Sequence, residues 1–248
     1  MKLITLNVWG GLKERELAKF FQKKKGEVDI FCLQEVNHDS ANKNINYPDD
    51  NFNFFSEISD ILSEFSGYFR PSIEDHYGLA TFVHEDISVL SEDDIFVRGD
   101  HGDIYDFEKG KDHARNIQHL QIKKDGNGLV VHNFHGMWAP KGKIDTPERL
   151  RQAQNVKEHL SSINAPQIIA GDFNSRPDTE SMKIIEDDGL RNLVKEYGVT
   201  DTRTKFYEKE ERFADYILVS DGIQVNDFKV LPDEVSDHAP LYLDFAIM

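Results

Sequence analysis

Short apolar runs outnumber helical patterns in this chain, and that ratio does most to limit its fold. "KLITLNVW" (2–9) sets Leu3 and Thr5 against Ile4 and Leu6 before a glycine pair breaks it, as a strand does. "VDIFCLQEV" (28–36) is rich in Val, Ile and Phe and reads as a buried strand. Further strands are predicted near 77–84, 86–98, 114–123, 128–135, 213–219, 223–231 and 240–247, with another in the run Ile168-Ile169-Ala170. "DGNG" at 125–128 has the composition of a hairpin turn.

Helices are fewer. Residues 13–25 place Leu17, Phe20 and Phe21 among charges, and a second helix carries Ile58, Ile61, Leu62 and Phe65 at i, i+3, i+4, i+7. Asp145 or Thr146 caps the clearest helix, 147–163, which has Pro147 in its first turn and a stripe of Leu150, Ala153, Val156, Leu160 and Ile163. A short helix near 179–188 stops at Gly189. An Asn/Asp-rich loop fills 37–51. So many strands joined by hairpins fit a doubly wound parallel sheet poorly. They predict an α/β fold of two mixed, mainly antiparallel sheets packed face to face with helices outside. Without repeats or linker-like composition, residues 1–248 are expected to form one domain and to act as a monomer.

Composition narrows the function. Hydrophobic content of 39% with 17 Phe supports a sizeable core, and no stretch approaches the roughly 20 apolar residues that span a bilayer. The N-terminal apolar run is short and broken by Asn7, unlike a signal peptide. Cys32 is the only cysteine, which excludes an internal disulfide, so a soluble cytoplasmic protein is expected. A net charge of −16, from 45 acids against 29 bases, disfavours wrapping long polyanions. It is compatible with a phosphate substrate, because a metal ion and an arginine can outweigh the global field at short range.

Polar residues collect at strand ends. Asn7 follows "LITL", Glu35 follows "DIFCLQ", His135 ends "LVVHNF", and Asp172 and Asn174 end "QIIAG". Asp215 lies in "RFADYILV", and Asp237-His238 precedes "APLYLDF". Each alone could turn or cap the chain. Together, these acids and the two amides form a hard oxygen set suited to Mg²⁺ or Mn²⁺ and poorly suited to zinc. Two histidines complete an inventory for metal-assisted attack of water on phosphorus. On an extended backbone the i, i+2 spacing of Asp172 and Asn174 would aim both at one face.

The ordered set "TLNVWGG", "CLQEV", "NFH", "GDFN", "ADYIL" and "SDHAP" resembles the endonuclease/exonuclease/phosphatase superfamily, from residue 5 to about 245. The resemblance implies a four-layer α/β sandwich with its site at one end, and a metal-dependent phosphodiesterase acting on nucleic acid or a modified nucleic-acid end. A phosphatase or lipid phosphodiesterase on the same fold is the alternative; a catalytically dead binding module would have lost ligands that are all present. By that resemblance Glu35 is the main metal ligand, helped by Asn7 and Asp237. Asp172 positions or deprotonates water, and Asn174 binds phosphate oxygens. His238 contacts the phosphate and pairs with Asp215, which is expected to favour its imidazolium form. His135 matches an additional histidine of the DNase-like and sphingomyelinase-like branches. Arg115 matches a strand arginine facing the phosphate. Asp112 and His113 read as a turn or as part of the site, Trp138 as packed or stacking on a ligand, and Lys141, Lys143 and Arg203 as solvated or anion-steering. Asp75 and Glu74 are candidate partners of His135 by placement alone.

Overall fold

The computed structural model describes residues 1–38, 53–73, 75–107, 110–140, 142–187 and 189–248, so nearly all of the 37–51 loop, Glu74 and Lys141 lie outside the described residues. The chain runs through β1 (Lys2–Asn7), α1 (Glu14–Lys24), β2 (Ile30–Asn37), α2 (Phe54–Ile61), β3 (Phe65–Ile73), β4 (Tyr77–His84), β5 (Ser88–Arg98), β6 (Ile104–Phe107) and β7 (Gly110–His113). It continues through β8 (Arg115–Lys124), β9 (Asn127–His135), α3 (Pro147–Ser161), β10 (Gln167–Asp172), α4 (Glu180–Glu186), β11 (Arg191–Asn192), α5 (Leu193–Glu196), β12 (Asp215–Val219), β13 (Ile223–Val230) and β14 (Leu241–Ile247).

Two six-stranded sheets result, ordered β13-β14-β1-β2-β4-β3 and β11-β12-β10-β9-β8-β5, with β6 and β7 a separate hairpin. Each large sheet has one parallel pair at its centre, β1 with β2 and β9 with β10. The other pairings are antiparallel.

The alternation in β1 has a simple cause: both faces of the sheet are covered. Ile4 and Leu6 pack with Phe31 and Leu33 under Leu17, Phe20 and Phe21 of α1 and Ile58 of α2. Leu3, Ile30 and Cys32 face the other way, into the core shared with the second sheet, whose helices add Val156 and Leu160 of α3 and Met182 of α4. Burial on both faces explains why the central strands read as continuous apolar runs.

The layer between the sheets also holds amides and hydroxyls. Gln34 Nε2 donates to Asn133 Oδ1 at 2.7 Å across the sheets, and Asn133 Nδ2 donates to Leu33 O at 3.0 Å and Ala80 O at 3.1 Å. Thr81 Oγ1 donates to Gln118 Oε1 at 2.7 Å. Buried groups of this kind are tolerable because they satisfy one another, and they fix how the sheets register.

Two expectations change and a third is resolved. Phe65 begins β3 instead of closing the stripe of α2, whose last residue is Ile61. β3, β6 and β7 have no counterpart among the expected strands. Of the two candidate caps for α3, Thr146 accepts from Arg149 N, while Asp145 accepts from Glu180 N and Ser181 N at the start of α4.

Candidate active site

The two parallel pairs bring the strand ends together. Asn7 at the end of β1 stands beside Gln34 of β2; Asp172 at the end of β10 stands between His135 of β9 and Asp215 of β12. Strand ends on facing sheets therefore meet at one rim of the sandwich.

Local backbone then aims the side chains. The β2–β4 pairing shifts register between Leu33 and Val36, and Glu35 within that bulge has φ 58. A non-glycine residue in the left-handed region is uncommon, and the twist turns Glu35 out of the strand's alternation towards Asn7. Asn174 has φ 51, so the expected extended i, i+2 geometry is not what places it. Its backbone N–H donates to Asp172 Oδ1 at 2.9 Å, closing an Asx turn, and its Nδ2 donates to Gly136 O at 3.2 Å. Phe173 between them is buried, edge-on to Phe134 at 5.1 Å and Tyr216 at 5.3 Å. Gly171 has φ 148, and a Cβ there would sit 1.9 Å from Phe134 O. Only glycine lets β10 approach β9 so closely.

With Oδ1 holding the turn, Asp172 Oδ2 becomes the hub. Asn7 Nδ2 donates to it at 3.0 Å and to Glu35 Oε1 at 2.8 Å. His135 Nε2 lies 3.7 Å from Asp172 Oδ2 and 3.8 Å from Glu35 Oε1. His238 Nε2 lies 3.6 Å from the same Asp172 oxygen and 3.7 Å from Asp237 Oδ1. Behind it, His238 Nδ1 contacts both Asp215 oxygens at 2.8 and 2.9 Å, and Thr202 Oγ1 donates to Asp215 Oδ2 at 3.1 Å. The carboxylates nearest His135 are thus Glu35 and Asp172. Asp75 is fully exposed, 4.0 Å from His101, which removes it as a partner.

Buried cations surround the acids. Arg115 Nη2 donates to Asp112 Oδ1 at 2.5 Å, while its Nε and Nη1 have no partner among the described residues. Asp112 is itself buried between Arg98 and Arg115, so it belongs to the site's wall. Arg203 Nη1 bridges to Asp237 Oδ2 at 2.8 Å, and its guanidinium stacks 4.1 Å from the Tyr207 ring. Lys143, expected at a solvated rim as readily as near an anion, is buried and donates from Nζ to Phe213 O at 2.6 Å. Nothing in the sequence singles out Thr202, and Arg203 reads there as solvated or anion-steering alike.

Burial sets the charges. It pushes Glu35 up to about 7, helped by Asp237 and Asp172 and opposed by the Asn7 hydrogen bond. It pushes Asp215 up to about 7 against the pull of Arg203 and Lys143. It pushes His238 down to about 3, with Arg203 acting in the same direction. Desolvation thus opposes the charged form of both partners, against the attraction between carboxylate and imidazolium expected from the sequence. His135 is likewise held well below the ordinary histidine range, by burial and then by Arg115.

A profile of the Endonuclease/Exonuclease/phosphatase family matches residues 4–238. The chain belongs to that family. No curated protein matches the sequence. The fold is shared with a mannosyl-6-phosphatase of Bacteroides thetaiotaomicron, TM-score 0.76 at 16% identity over 100% of both chains. It is shared with a humanized TDP2 of D. rerio, TM-score 0.73 at 16% identity over 99% of this chain and 98% of that one. The human Nocturnin catalytic domain with bound sulfate gives 0.71 at 19% identity, over 100% and 93%. Membership in the endonuclease/exonuclease/phosphatase family supports a phosphoester hydrolase, and members are generally divalent-metal dependent.

The donor set fits such an ion. Ligand atoms of Glu35, His135 and Asp172 lie within 4.8 Å of one another, as do those of Asp172, Asp215 and His238. Glu35 is raised by burial beside two other acids, a rise that the Asn7 hydrogen bond and the Arg115 charge only partly offset, and a cation would oppose it further. Asp237 is engaged by Arg203 instead of standing in Glu35's group. Asn7 turns its nitrogen to the acids and its Oδ1 to Trp9 N at 2.9 Å, so ligation through oxygen needs the amide turned over.

Proposed function

We propose that this chain is a divalent-metal-dependent phosphodiesterase that cleaves a nucleic-acid end or a modified end by direct attack of water on phosphorus. One observation carries the reading: Asp172 Oδ2 is shared by Asn7, His135 and His238 and lies beside Glu35's group, with unpartnered Arg115 nitrogens in the same wall. A Mg²⁺ ion (Mn²⁺ serving as well) would be held at Glu35, with Asn7 joining once its amide is turned over and Asp237 once released from Arg203, and would supply positive charge against the phosphate oxygens.

Asp172 Oδ2 accepts a proton from the attacking water, while its Oδ1, tied to Asn174 N, keeps the carboxylate from turning away. Arg115 Nε and Nη1 donate to non-bridging oxygens, as does the remaining Asn174 amide hydrogen. His135 lines the phosphate position opposite His238. His238, held at Nδ1 by Asp215 at 2.8 Å, presents Nε2 to the phosphate and in its protonated form donates to the leaving oxygen as the P–O bond to it breaks. An arriving anion raises the imidazole's proton affinity and strengthens that contact.

A groove of about 390 Å³ is lined by Asn174, Trp138, Lys143, Tyr207 and Lys209, with Glu210 and Glu211 among its walls. Lys209 Nζ sits 5.7 Å from the Trp138 ring and Lys143 Nζ 5.2 Å from the Tyr207 ring. Aromatic faces beside cations suit a nucleobase next to the scissile phosphate. A phosphomonoester is the second reading, favoured by three buried cations, Arg115, Arg203 and Lys143, which would suit a dianion.

A panel decides between them: single-stranded DNA, RNA, duplex DNA, 5′-tyrosyl DNA, sugar and inositol phosphates and sphingomyelin, each with Mg²⁺ and with EDTA. Turnover of a nucleic-acid end that EDTA abolishes is expected. Turnover of phosphomonoesters alone would replace the diesterase reading, and full activity in EDTA would remove the metal.

A further inference from the structure

A second cluster of ionisable rings lies away from the catalytic rim, where α3 covers the second sheet. His119 of β8 and His132 of β9 are direct cross-strand partners, and His159 in the last turn of α3 packs on both. Ring centroids are 5.0 Å apart for His119 and His159, 5.2 Å for His132 and His159, and 6.2 Å for His119 and His132.

Hydrogen bonding fixes one of these rings. Gln167 Nε2 donates to Leu160 O at 3.1 Å, which leaves Gln167 Oε1 to accept from His132 Nε2 at 3.1 Å. His132 therefore carries its hydrogen on Nε2, and Nδ1 is a bare lone pair in a fully buried ring. His132 Nδ1, His119 Nδ1 and His159 Nε2 are all buried without a hydrogen-bond partner among the described residues. Buried polar atoms are rarely left so, and three within one cluster point to an electron-pair acceptor that the protein does not itself provide. His132 and His159 favour the neutral, ligating state. Burial first and the neighbouring imidazoles next hold His132 well below the usual histidine range, and the same order of causes brings His159 to about 4.

We propose that His119, His132 and His159 form a binding site for a transition-metal ion of the Zn²⁺ class, separate from the catalytic centre. Three imidazole nitrogens about 2 Å from a tetrahedral ion place the ring centres about 5 Å apart. Two of the three spacings already match and the third is wider. The ligand atoms themselves do not converge within 4.8 Å, as those of the two catalytic clusters do. Closing on an ion therefore requires the rings to turn about their side-chain bonds. His119 and His159 are only half-buried and have room to do so, whereas Gln167 holds His132 ready. Imidazole ligands select Zn²⁺ over the hard ions expected at Glu35. Bound there, the ion ties α3 to β8 and β9 and stabilises the fold by favouring the native state.

The test uses the full chain with Glu35→Gln and Asp172→Asn, so that the catalytic acids do not compete, after stripping with chelator. Calorimetry and X-ray absorption are expected to find one Zn²⁺ per chain in an imidazole-dominated shell, with a melting temperature several degrees higher that Mg²⁺ does not reproduce. Adding His119→Gln or His159→Gln, each at a half-buried position, is expected to weaken Zn²⁺ binding at least about tenfold, and neither should lower the melting temperature of the metal-free chain by more than a few degrees. No Zn²⁺ binding in the parent, or binding unaltered by both histidine variants, overturns the proposal.

Discussion

Asp172 does two jobs with two oxygens: Oδ1 holds the Asn174 turn and Oδ2 faces Asn7, His135 and His238. Asp172→Asn keeps the turn's acceptor and removes the base. The variant should lose at least about 10²-fold in kcat on bis(p-nitrophenyl) phosphate while melting within a few degrees of wild type. His238→Ala should behave alike in kcat. Near-normal turnover in either folded variant would show that the role belongs elsewhere. The sequence revealed these residues because each stands at one end of an apolar run as a polar exception. It did not reveal Thr202, whose hydroxyl binds Asp215, because a threonine in a polar loop stands out from nothing. Nor did it reveal that Lys143 is buried, since a lysine between glycine and isoleucine reads as solvated.

At the scale of elements, what was legible followed local chemistry. Asp125 at φ 52 and Gly126 at φ 88 make the β8–β9 turn that "DGNG" announced, and Pro147 begins α3 as its sequence indicated. What was hidden depends on packing across the fold. β3, with Gly67 and Pro71 and a half-exposed pattern, lacks a strand's alternation, yet a Cβ at Gly67 would lie 2.7 Å from the Phe82 ring of β4. The bulge that turns Glu35 is likewise set by pairing with β4. Gly171→Ala, which puts a Cβ against Phe134 O in a left-handed backbone, should destabilise the chain by about 2 kcal/mol or more in urea unfolding; an unchanged midpoint would mean that β9 and β10 part freely. α3 carries a pH prediction. His159 falls from about 6.5 unfolded to about 4 folded, so between those values the unfolded chain binds more protons. Its contribution is complete above about pH 6.5 and is lost as pH falls towards 4. Urea midpoints from pH 7.5 to 4.5 should therefore drop less in His159→Gln than in wild type; an equal drop would place His159 outside the acid response.

Across the whole molecule, charge is arranged against the proposed phosphoester ligand. The chain carries −16 overall, while Arg115, Arg203 and Lys143 are withdrawn into the catalytic end. A polyanion meets repulsion at long range and attraction only at contact. Raising salt from about 10 to 150 mM shortens the reach of that repulsion, so kcat/KM for an oligonucleotide end should rise, or at least hold; the steep fall typical of basic DNA-binding proteins would contradict it. The sheet topology matters most here: two central parallel pairs, one in each sheet, carry Asn7, Glu35, His135 and Asp172 to a common rim, where one divalent cation can serve them all. Electron paramagnetic resonance of Mn²⁺ titrated into the chain tests that convergence most directly. Wild type should bind one ion at the catalytic rim, and Glu35→Gln, folded as shown by its melting curve, should bind it at least about tenfold more weakly. Equal Mn²⁺ affinity in the two proteins would contradict it.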